Sequence, residues 1–232
     1  MSLFTASPRE GHLEAFYHMF AYLAKTDQHS IVFDASSPDL KPSLMVITDW
    51  TDFYGDVSEA IPPKMPKPCG NSVNTTCFVD ANHAGNLVTC RSQTGILIFV
   101  MKSPIVWYLK RQNTVETSTF SSDFVAMRQT TELIEALRYK LRMYQIPING
   151  PTRFFSANGA VISNSSIPTL TLTKKHNAIC YHRVREAVLA AGTTAIGKVH
   201  DTNYNLADLF TKQLSPERRC HLLQCITYQT KR

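Results

Sequence analysis

Three apolar segments in the middle of the sequence constrain the fold more than any other feature. Thr75–Val79, Gly95–Met101 and Pro104–Leu109 are rich in the β-branched and aromatic residues that favour strands. Only Lys102 and Ser103 separate the second segment from the third, and no helical pattern separates the first from the second. Because so short a connection permits only a hairpin, the three segments are predicted to form an antiparallel meander.

The sequence after this meander alternates between helical and strand patterns. A long helix is predicted over about Ser121–Gln145, because apolar residues recur there at spacings of three and four until Pro147 stops the pattern. The later predicted elements are a strand at Thr152–Ser156, a short helix at Gly159–Ser163, a helix at His176–Ala191, a strand at Thr194–Val199 and a helical region at Leu206–Lys212. The order β-β-β-α-β-α-α-β-α predicts an α/β domain.

The N-terminal quarter of the chain is set apart by prolines. Pro8–Lys25 predicts an amphipathic helix, since its large apolar residues form one stripe. Four prolines lie between Glu59 and Cys69, and proline cannot donate a backbone hydrogen bond, so this stretch is predicted to be an extended linker. We therefore divide the chain into a segment at residues 1–58, a proline-rich linker at 59–72 and the α/β domain at 73–232.

Composition narrows the class of protein. Hydrophobic residues make up 44% of the 232 residues, which is enough to bury a core. No apolar run approaches the roughly 18 residues of a membrane span, and the N-terminus lacks the apolar region of a signal peptide. The six cysteines include no C-x-x-C pair and match no zinc-binding spacing. We therefore expect an intracellular protein, cytoplasmic or nuclear, and the net charge of +6 mildly favours nucleic acid as a partner.

Three aspartates lie at the ends of predicted elements. Asp80 closes the first strand, Asp123 begins the long helix and Asp208 opens the last helical region. Carboxylates in such places can converge and hold two Mg2+ ions about 4 Å apart, which together stabilise the attacking and leaving oxygens of phosphodiester cleavage. A surface carboxylate is more often solvated or a helix cap, and Asp123 after Ser121 and Ser122 also suits that role.

Seven blocks of sequence follow one another between Cys77 and Leu214. They are Phe78–Gly85, Arg91–Gly95, Ile105–Gln112, Thr117–Ala126, Lys174–Ile179, Tyr181–Glu186 and Asn205–Lys212. In this order they resemble the ribonuclease H domain at the end of copia-type retrotransposon polyproteins. The segment Ala6–Leu23 is similar to the stretch of these polyproteins between the reverse transcriptase and the ribonuclease H domain.

The resemblance implies a ribonuclease H-like α/β fold, with a mixed five-stranded sheet of three antiparallel strands and two further strands, flanked by helices. It implies cleavage of the RNA strand of an RNA–DNA hybrid with two Mg2+ ions. Residues 1–58 become the upstream connecting segment of the polyprotein. Of the four acidic positions of the family, Asp80 is expected to bridge both metals, Asp123 replaces a helix glutamate, Ala157 replaces an aspartate after the fourth strand, and Asp208 is retained.

Two of these positions depart from the family. Asp123 is one methylene shorter than glutamate, and Mg2+ demands near-ideal geometry at about 2.0–2.1 Å. Ala157 supplies no ligand, and the neutral side chains of Ser156 and Asn158 beside it are poor substitutes for a carboxylate on Mg2+. In the family's arrangement both changes affect the same metal, whose occupancy is therefore in doubt. Because in-line cleavage requires both ions, we predict a ribonuclease H by descent with reduced or lost activity.

Several residues outside the carboxylates are candidates for contacts with an RNA–DNA hybrid or another nucleic acid. They are Lys110, Arg111, Gln112, His182 and Arg183. For each of them the alternative is a surface side chain that meets only solvent. Trp107 and Tyr108 alternate across a strand, and we predict that Trp107 packs in the core.

Three other functions remain open at this stage. The chain could be a non-catalytic nucleic-acid-binding module that keeps a basic face, or a structural module that serves as a scaffold for another protein. It could also be an active enzyme that uses one metal ion or Mn2+, which accepts less ideal geometry. The sequence identifies no protein partner.

Overall fold

The structure is a computed structural model that describes residues 8–39, 45–46, 50, 52, 55, 59–172, 175–189, 194–198 and 204–229. Its strands are β1 (His29–Ile31), β2 (Thr75–Asn82), β3 (Gln93–Val100), β4 (Ser103–Arg111), β5 (Thr152–Ser156), β6 (Thr194–Lys198) and β7 (Thr227–Gln229). Its helices are α1 (Glu10–Lys25), α2 (Thr119–Met143), α3 (Gly159–Ser166), α4 (Ala178–Leu189), α5 (Asp208–Thr211) and α6 (Pro216–Leu223), with a 3-10 turn at Lys175–Asn177. Ala191 and Val199, where two predicted elements end, and Ala6 and Lys174 lie outside the described residues.

A mixed five-stranded sheet in the order β4-β3-β2-β5-β6 forms the centre of the molecule. The neighbours β2, β3 and β4 are antiparallel, and Met101 and Lys102 form the tight turn between β3 and β4. Strand β5 joins β2 in parallel, and β6 joins β5 in parallel. The predicted architecture is therefore confirmed: a mixed five-stranded sheet of three antiparallel strands and two further strands, flanked by helices.

The two faces of the sheet carry separate cores. On one face, helices α2, α3 and α4 bury side chains that include Phe124, Ile134, Val161 and Val184 against the sheet. On the other face, the segment that contains α5 and α6 covers a smaller core, which is formed by Leu97, Phe99, Leu206 and Leu222. Along β4, Tyr108 packs against the first core, whereas Trp107 is 55% exposed. The prediction that Trp107 packs in the core was wrong, because the residues of a strand alternate between its faces and this face of β4 is uncovered.

Helix α2 is stabilised by an N-terminal cap and by a side that is buried along most of its length. The Ser118 side chain accepts a hydrogen bond from the backbone N–H of Ser121, which satisfies one of the free donors of the first turn. Buried residues then recur along the helix as far as Leu141. Because the helix begins at Thr119, Asp123 lies one turn inside it and is not its cap.

The N-terminal segment packs against the α/β domain. Strand β1 pairs with β7 in a two-stranded antiparallel ribbon, and the guanidinium of Arg219 lies 5.1 Å from the ring centre of Tyr22. The carbonyl oxygen of Asp34 accepts hydrogen bonds from the N–H of Lys102 and the hydroxyl of Ser103. Helix α1 itself buries no residue, and none of the described helices has the length and hydropathy needed to cross a bilayer.

Glu59 connects the start of the proline-rich linker to α2. Its carboxylate accepts hydrogen bonds from Arg138, which is 4% exposed, and from Arg142. Burial raises the pKa of Glu59, but the hydrogen bonds from the two arginines outweigh it and lower the pKa to about 2. Glu59 therefore stays ionised near neutral pH, and its ion pairs with the two arginines hold the linker against the C-terminal half of α2.

Gly95 in β3 fixes how closely α5 approaches the sheet. A Cβ atom on Gly95 would lie 2.7 Å from Cγ2 of Thr211 and 3.0 Å from Cβ of Phe210. We expect Gly95→Ala to lower the free energy of unfolding by about 1–3 kcal/mol, because α5 must move away from β3. Urea unfolding measures the change. Gly11→Ala in α1 is the matched control, since no atom lies within 4 Å of a Cβ there. Equal stability of the Gly95 variant and wild type would contradict this account of the contact.

Candidate functional site

The four predicted acidic positions meet at one end of the sheet. Asp80 lies near the end of β2 and pairs with Gly95, so it is inside the strand and does not follow it. Ala157 directly follows β5, which runs parallel to β2, and Asp208 is the first residue of α5. Asp123 is close enough for the charge of Asp80 to act on it. We refer to Asp80, Asp123 and Asp208 as the carboxylate cluster.

Asn205 holds the segment of Asp208 against β2. Its side-chain amide donates a hydrogen bond of 3.1 Å to the carbonyl of Val79, the residue before Asp80. Its side-chain oxygen accepts one from the N–H of Ala207, and the residue is fully buried. Asn205 thereby sets the distance between the two aspartates, a role that the sequence did not predict.

Lys212 and Arg218 neutralise the buried Asp208. The Asp208 side chain has no exposed surface, and its two oxygens lie 2.7 Å from Nζ of Lys212 and 2.5 Å from Nη2 of Arg218. Lys212 also reaches Oδ1 of Asp80 at 3.4 Å, and the hydroxyl of Thr211 donates to the other oxygen of Asp80. Burial alone lowers the pKa of Lys212, but its bonds to Asp208 and Asp80 outweigh that effect and raise the pKa, so the ammonium group stays charged.

Asp80 is mostly buried, and its carboxylate is harder to ionise than an exposed one. Burial raises the pKa of Asp80, and the negative charge of Asp208 adds to the rise. The hydrogen bond from Thr211 and the charge of Lys212 oppose it. Protein donors therefore only partly offset the cost of placing this charge beside Asp208.

Asp123 is held by Asn158. The side-chain amide of Asn158 donates a hydrogen bond of 2.6 Å to Oδ2 of Asp123, while its side-chain oxygen caps α3 by accepting from the N–H groups of Ala160 and Val161. Burial raises the pKa of Asp123 to about 7, with a contribution from the charge of Asp80 and against the bond from Asn158. This carboxyl group is therefore much harder to ionise than an exposed aspartate.

The residues present do not fit a two-ion centre. Ala157 offers no ligand, and the oxygens of Asp80 and Asp208 are bonded to Lys212, Arg218 and Thr211. Across the part of the chain that the structure describes, His, Cys, Asp and Glu side chains form no group of three or more that could hold a metal ion. The donor set has the hard oxygens that Mg2+ prefers, but the protein's own cations take the places beside them.

Gln112 belongs to the framework of the site and not to a binding surface. It is fully buried, and its side-chain amide donates to Oγ1 of Thr94 and to the carbonyl of Ser122. Its backbone N–H donates to the carbonyl of Ser92, whose hydroxyl accepts from Ala84. Gln112 therefore joins β3, the end of β4 and the start of α2, and this corrects its placement among the nucleic-acid contacts.

The other candidates for nucleic-acid contact lie on two elements. Lys110 is exposed and Arg111 half-buried at the end of β4. His182 is exposed on α4, but the guanidinium of Arg183 bonds Glu135 and Glu186. Within the described part of the chain, no acid pairs with Lys110 or Arg111, whereas Arg183 on α4 is paired with two glutamates.

The two cations beside the carboxylate cluster were not predicted from the sequence, for different reasons. Lys212 stands four residues after Asp208, the spacing at which opposite charges meet on a helix, so that rule could have identified it. Arg218 belongs to α6, and only the turn between α5 and α6 brings it back to Asp208.

Removing Lys212 should destabilise the fold, and an added divalent cation should then stabilise it by replacing the lost positive charge. We expect Lys212→Met to lower the free energy of unfolding by about 1–3 kcal/mol, because a buried carboxylate loses a partner. About 10 mM Mg2+ should then raise the melting temperature of this variant more than that of wild type. Lys67→Met, at an exposed lysine of the linker, is the control for both measurements. An equal response of wild type and Lys212→Met to Mg2+ would show that Lys212 does not occupy the cation position.

Ionisation of Asp123 should lower the free energy of unfolding. Its pKa is about 7 in the folded state and about 3.9 in an unfolded chain, so the folded state binds more protons between these values and stability falls as pH rises through them. Asp123→Asn should therefore be more stable than wild type by about 1–3 kcal/mol at pH 8, and the gain should vanish near pH 4. Urea unfolding at both pH values measures it. Asp34→Asn should bring no such gain, because the hydrogen bonds from Ser36 lower the pKa of Asp34.

The solved structures that the chain is similar to include ribonucleases H. The superposition on the ribonuclease H1 of the archaeon Halobacterium salinarum covers 54% of this chain and 85% of that protein, at 9% identity with a TM-score of 0.42. The superposition on a ribonuclease H domain of Mycobacterium tuberculosis covers 66% of this chain and 98% of that domain, at 10% identity with a TM-score of 0.46. A third, LC11-RNase H1 in complex with an RNA/DNA hybrid, covers 66% of this chain and 94% of its own, at 10% identity with a TM-score of 0.41.

No protein-family model matches the chain. Among curated proteins, it is 24% identical over 216 residues to the retrovirus-related Pol polyprotein from transposon RE1 of Arabidopsis thaliana, which is 93% of this chain and 12% of that protein. It is 26% identical over 147 residues to the corresponding polyprotein from transposon RE2, covering 63% of this chain and 10% of the relative. The chain thus spans about a tenth of the length of these relatives. The resemblance stated from the sequence is confirmed: the chain is homologous to part of the Pol polyproteins of copia-type transposons.

Proposed function

We propose that the chain is a retrotransposon-derived ribonuclease H-like domain that binds nucleic acid, and that its ancestral cleavage of the RNA strand of RNA–DNA hybrids is reduced or lost. The ribonuclease H-like fold and the homology to Pol polyproteins support this descent. The observation that carries the functional proposal is Ala157, which stands beside Asp123 and Asn158 where the family has a carboxylate.

The chemistry of the cluster supports impaired catalysis. Two-ion cleavage requires carboxylates that are ionised and free to coordinate. Here both oxygens of Asp208 are bonded to cations of the protein. A divalent ion would have to displace Lys212 and Arg218 before it could reach Asp208, and it would still lack the ligand that Ala157 does not supply.

We also infer the division of the chain into a connecting segment at residues 1–58, a linker at 59–72 and the ribonuclease H-like domain at 73–232. The alignment to the RE1 polyprotein supports this division, because the aligned residues make up 93% of this chain and therefore extend beyond the domain alone. The hydrogen bonds between Glu59 and α2, together with the β1–β7 ribbon, support a connecting segment that stays attached to the domain.

The second candidate function is a module that binds nucleic acid without cleaving it or that serves as a scaffold. The net charge of +6 and the uncompensated charges of Lys110 and Arg111 favour nucleic acid over a purely structural role. Binding that weakens steeply with salt, without cleavage, is the expected behaviour of such a module.

Cleavage of a hybrid tests the proposal directly. A duplex with an end-labelled RNA strand is incubated with the full chain in Mg2+ and, separately, in Mn2+. We expect no more product than with Asp80→Asn, which removes the central carboxylate. Cleavage in Mg2+ at the rate of an intact ribonuclease H would overturn the proposal, and cleavage in Mn2+ alone would identify an enzyme that tolerates less ideal geometry.

Restoring the family's carboxylates should restore activity. We expect Ala157→Asp combined with Asp123→Glu to cleave the hybrid in Mg2+ at least about 100-fold faster than wild type, because the second ion regains its ligands. Asp123→Glu alone is the control and should gain little. If neither the double variant nor a triple variant that adds Lys212→Met gains activity, the absent carboxylate is not what limits this chain.

A further inference from the structure

Strand β4 is the edge of the sheet, and one of its faces is open. Ile105, Trp107 and Leu109 expose 41%, 55% and 51% of their surface. Val106 and Tyr108 between them pack against the core that α2 covers. A single exposed apolar side chain is ordinary, but three large ones along one strand form a continuous apolar patch. We call Ile105, Trp107 and Leu109 the β4 face.

The β4 face lies beside the carboxylate cluster. Leu109 pairs with Gly95, and Gly95 pairs with Asp80, so the three residues form one row across the sheet. Neighbouring strands are about 4.8 Å apart, which puts the Cα atoms of Leu109 and Asp80 about 10 Å from each other. Trp107 pairs with Leu97 in the next row of the same face. A molecule on the β4 face is therefore within reach of the cluster.

The charges at the end of β4 are positive, and those of the neighbouring carboxylate cluster are offset by Lys212 and Arg218. Lys110 and Arg111 end the strand, and β4 contains no acidic residue. Among the residues that the structure describes, no acid forms an ion pair with either of them. Arg183 on α4 differs, because Glu135 and Glu186 bind it. Arg111 therefore shares the β4 face with an exposed indole and two aliphatic side chains, whereas Lys110, like Val106 and Tyr108, alternates to the other side of this edge strand.

This combination suits a nucleic-acid strand. Cations beside an exposed aromatic ring can hold phosphates while a base stacks on the ring, and such stacking tolerates any sequence. The bases of a duplex stack on one another and leave no free face for the indole, so an unpaired stretch fits better.

We propose that the β4 face binds a single strand of nucleic acid, with a base stacked on the indole of Trp107 and phosphates held by Arg111 on the same face and by Lys110 at the edge of the sheet. The proposal rests on the proposed nucleic-acid binding of the domain and names the surface and the form of the strand. It assigns to Trp107 a role in binding affinity, separate from the chemistry of the carboxylate cluster.

The two tryptophans of the chain permit a direct measurement. Trp50 lies against the guanidinium of Arg185, so Trp50→Phe keeps an aromatic ring there and leaves Trp107 as the only indole. In this variant of the full chain, a single-stranded oligonucleotide of about 15 residues should quench the remaining fluorescence with saturation at low salt. In the otherwise wild-type chain, Trp107→Ala should weaken binding of the same labelled strand about tenfold or more by fluorescence anisotropy.

Tyr144→Ala is the matched control, because Tyr144 is 76% exposed just beyond the end of α2 and should not affect binding. Equal affinity of wild type and Trp107→Ala, with no quenching in the Trp50 variant, overturns the β4 proposal and leaves nucleic-acid binding elsewhere on the domain intact. No binding of strand or hybrid by wild type at low salt instead overturns the proposed function itself. A self-association of wild type that Trp107→Ala abolishes, without a change in strand affinity, marks the β4 face as a protein interface and also overturns the proposal.

Discussion

The buried charge of Asp208 is the constraint on which the rest of the site depends. A carboxylate without exposed surface is costly unless cations and hydrogen-bond donors meet it. Lys212 from the end of α5 and Arg218 from α6 meet it here, so the turn between the two helices must bring them back to one point. Because Lys212 also reaches Asp80, the C-terminal segment and β2 cannot separate without exposing or unpairing charges.

The sequence blocks that carry the family resemblance serve largely to hold the site together. Gln112 joins Thr94 to the start of α2, and Asn205 joins the segment of Asp208 to β2. Gly95 contributes by lacking a side chain, which lets α5 rest on β3. Gln112 and Asn205 are fully buried and bonded within the protein, so their place in these blocks is explained by holding the elements together rather than by contact with a ligand.

Much of the fold could be predicted because its signals are local. The two-residue connection before β4 dictated a hairpin, and β5 was predicted with its observed ends, Thr152–Ser156. The β1–β7 ribbon could not be predicted, since each strand has three residues and the partners lie almost at opposite ends of the chain. The predicted helix over about Ser121–Gln145 includes Tyr144, but α2 ends at Met143 and the ring of Tyr144 is exposed. The acidic positions followed from the resemblance, whereas the cations that neutralise them depend on tertiary contacts.

Ala157 and the ionisation of the cluster are connected by electrostatics. The charge of Asp80 already contributes to raising the pKa of Asp123 to about 7, which means that ionising both carboxylates works against folding at neutral pH. A fourth carboxylate at position 157 would add to this repulsion unless a divalent cation compensated for it. Alanine at position 157 avoids this repulsion, and Lys212 and Arg218 supply positive charge beside the remaining carboxylates. If catalysis is lost as proposed, the substitution that removes a ligand also lowers the electrostatic cost of folding, so the fold does not depend on the chemistry.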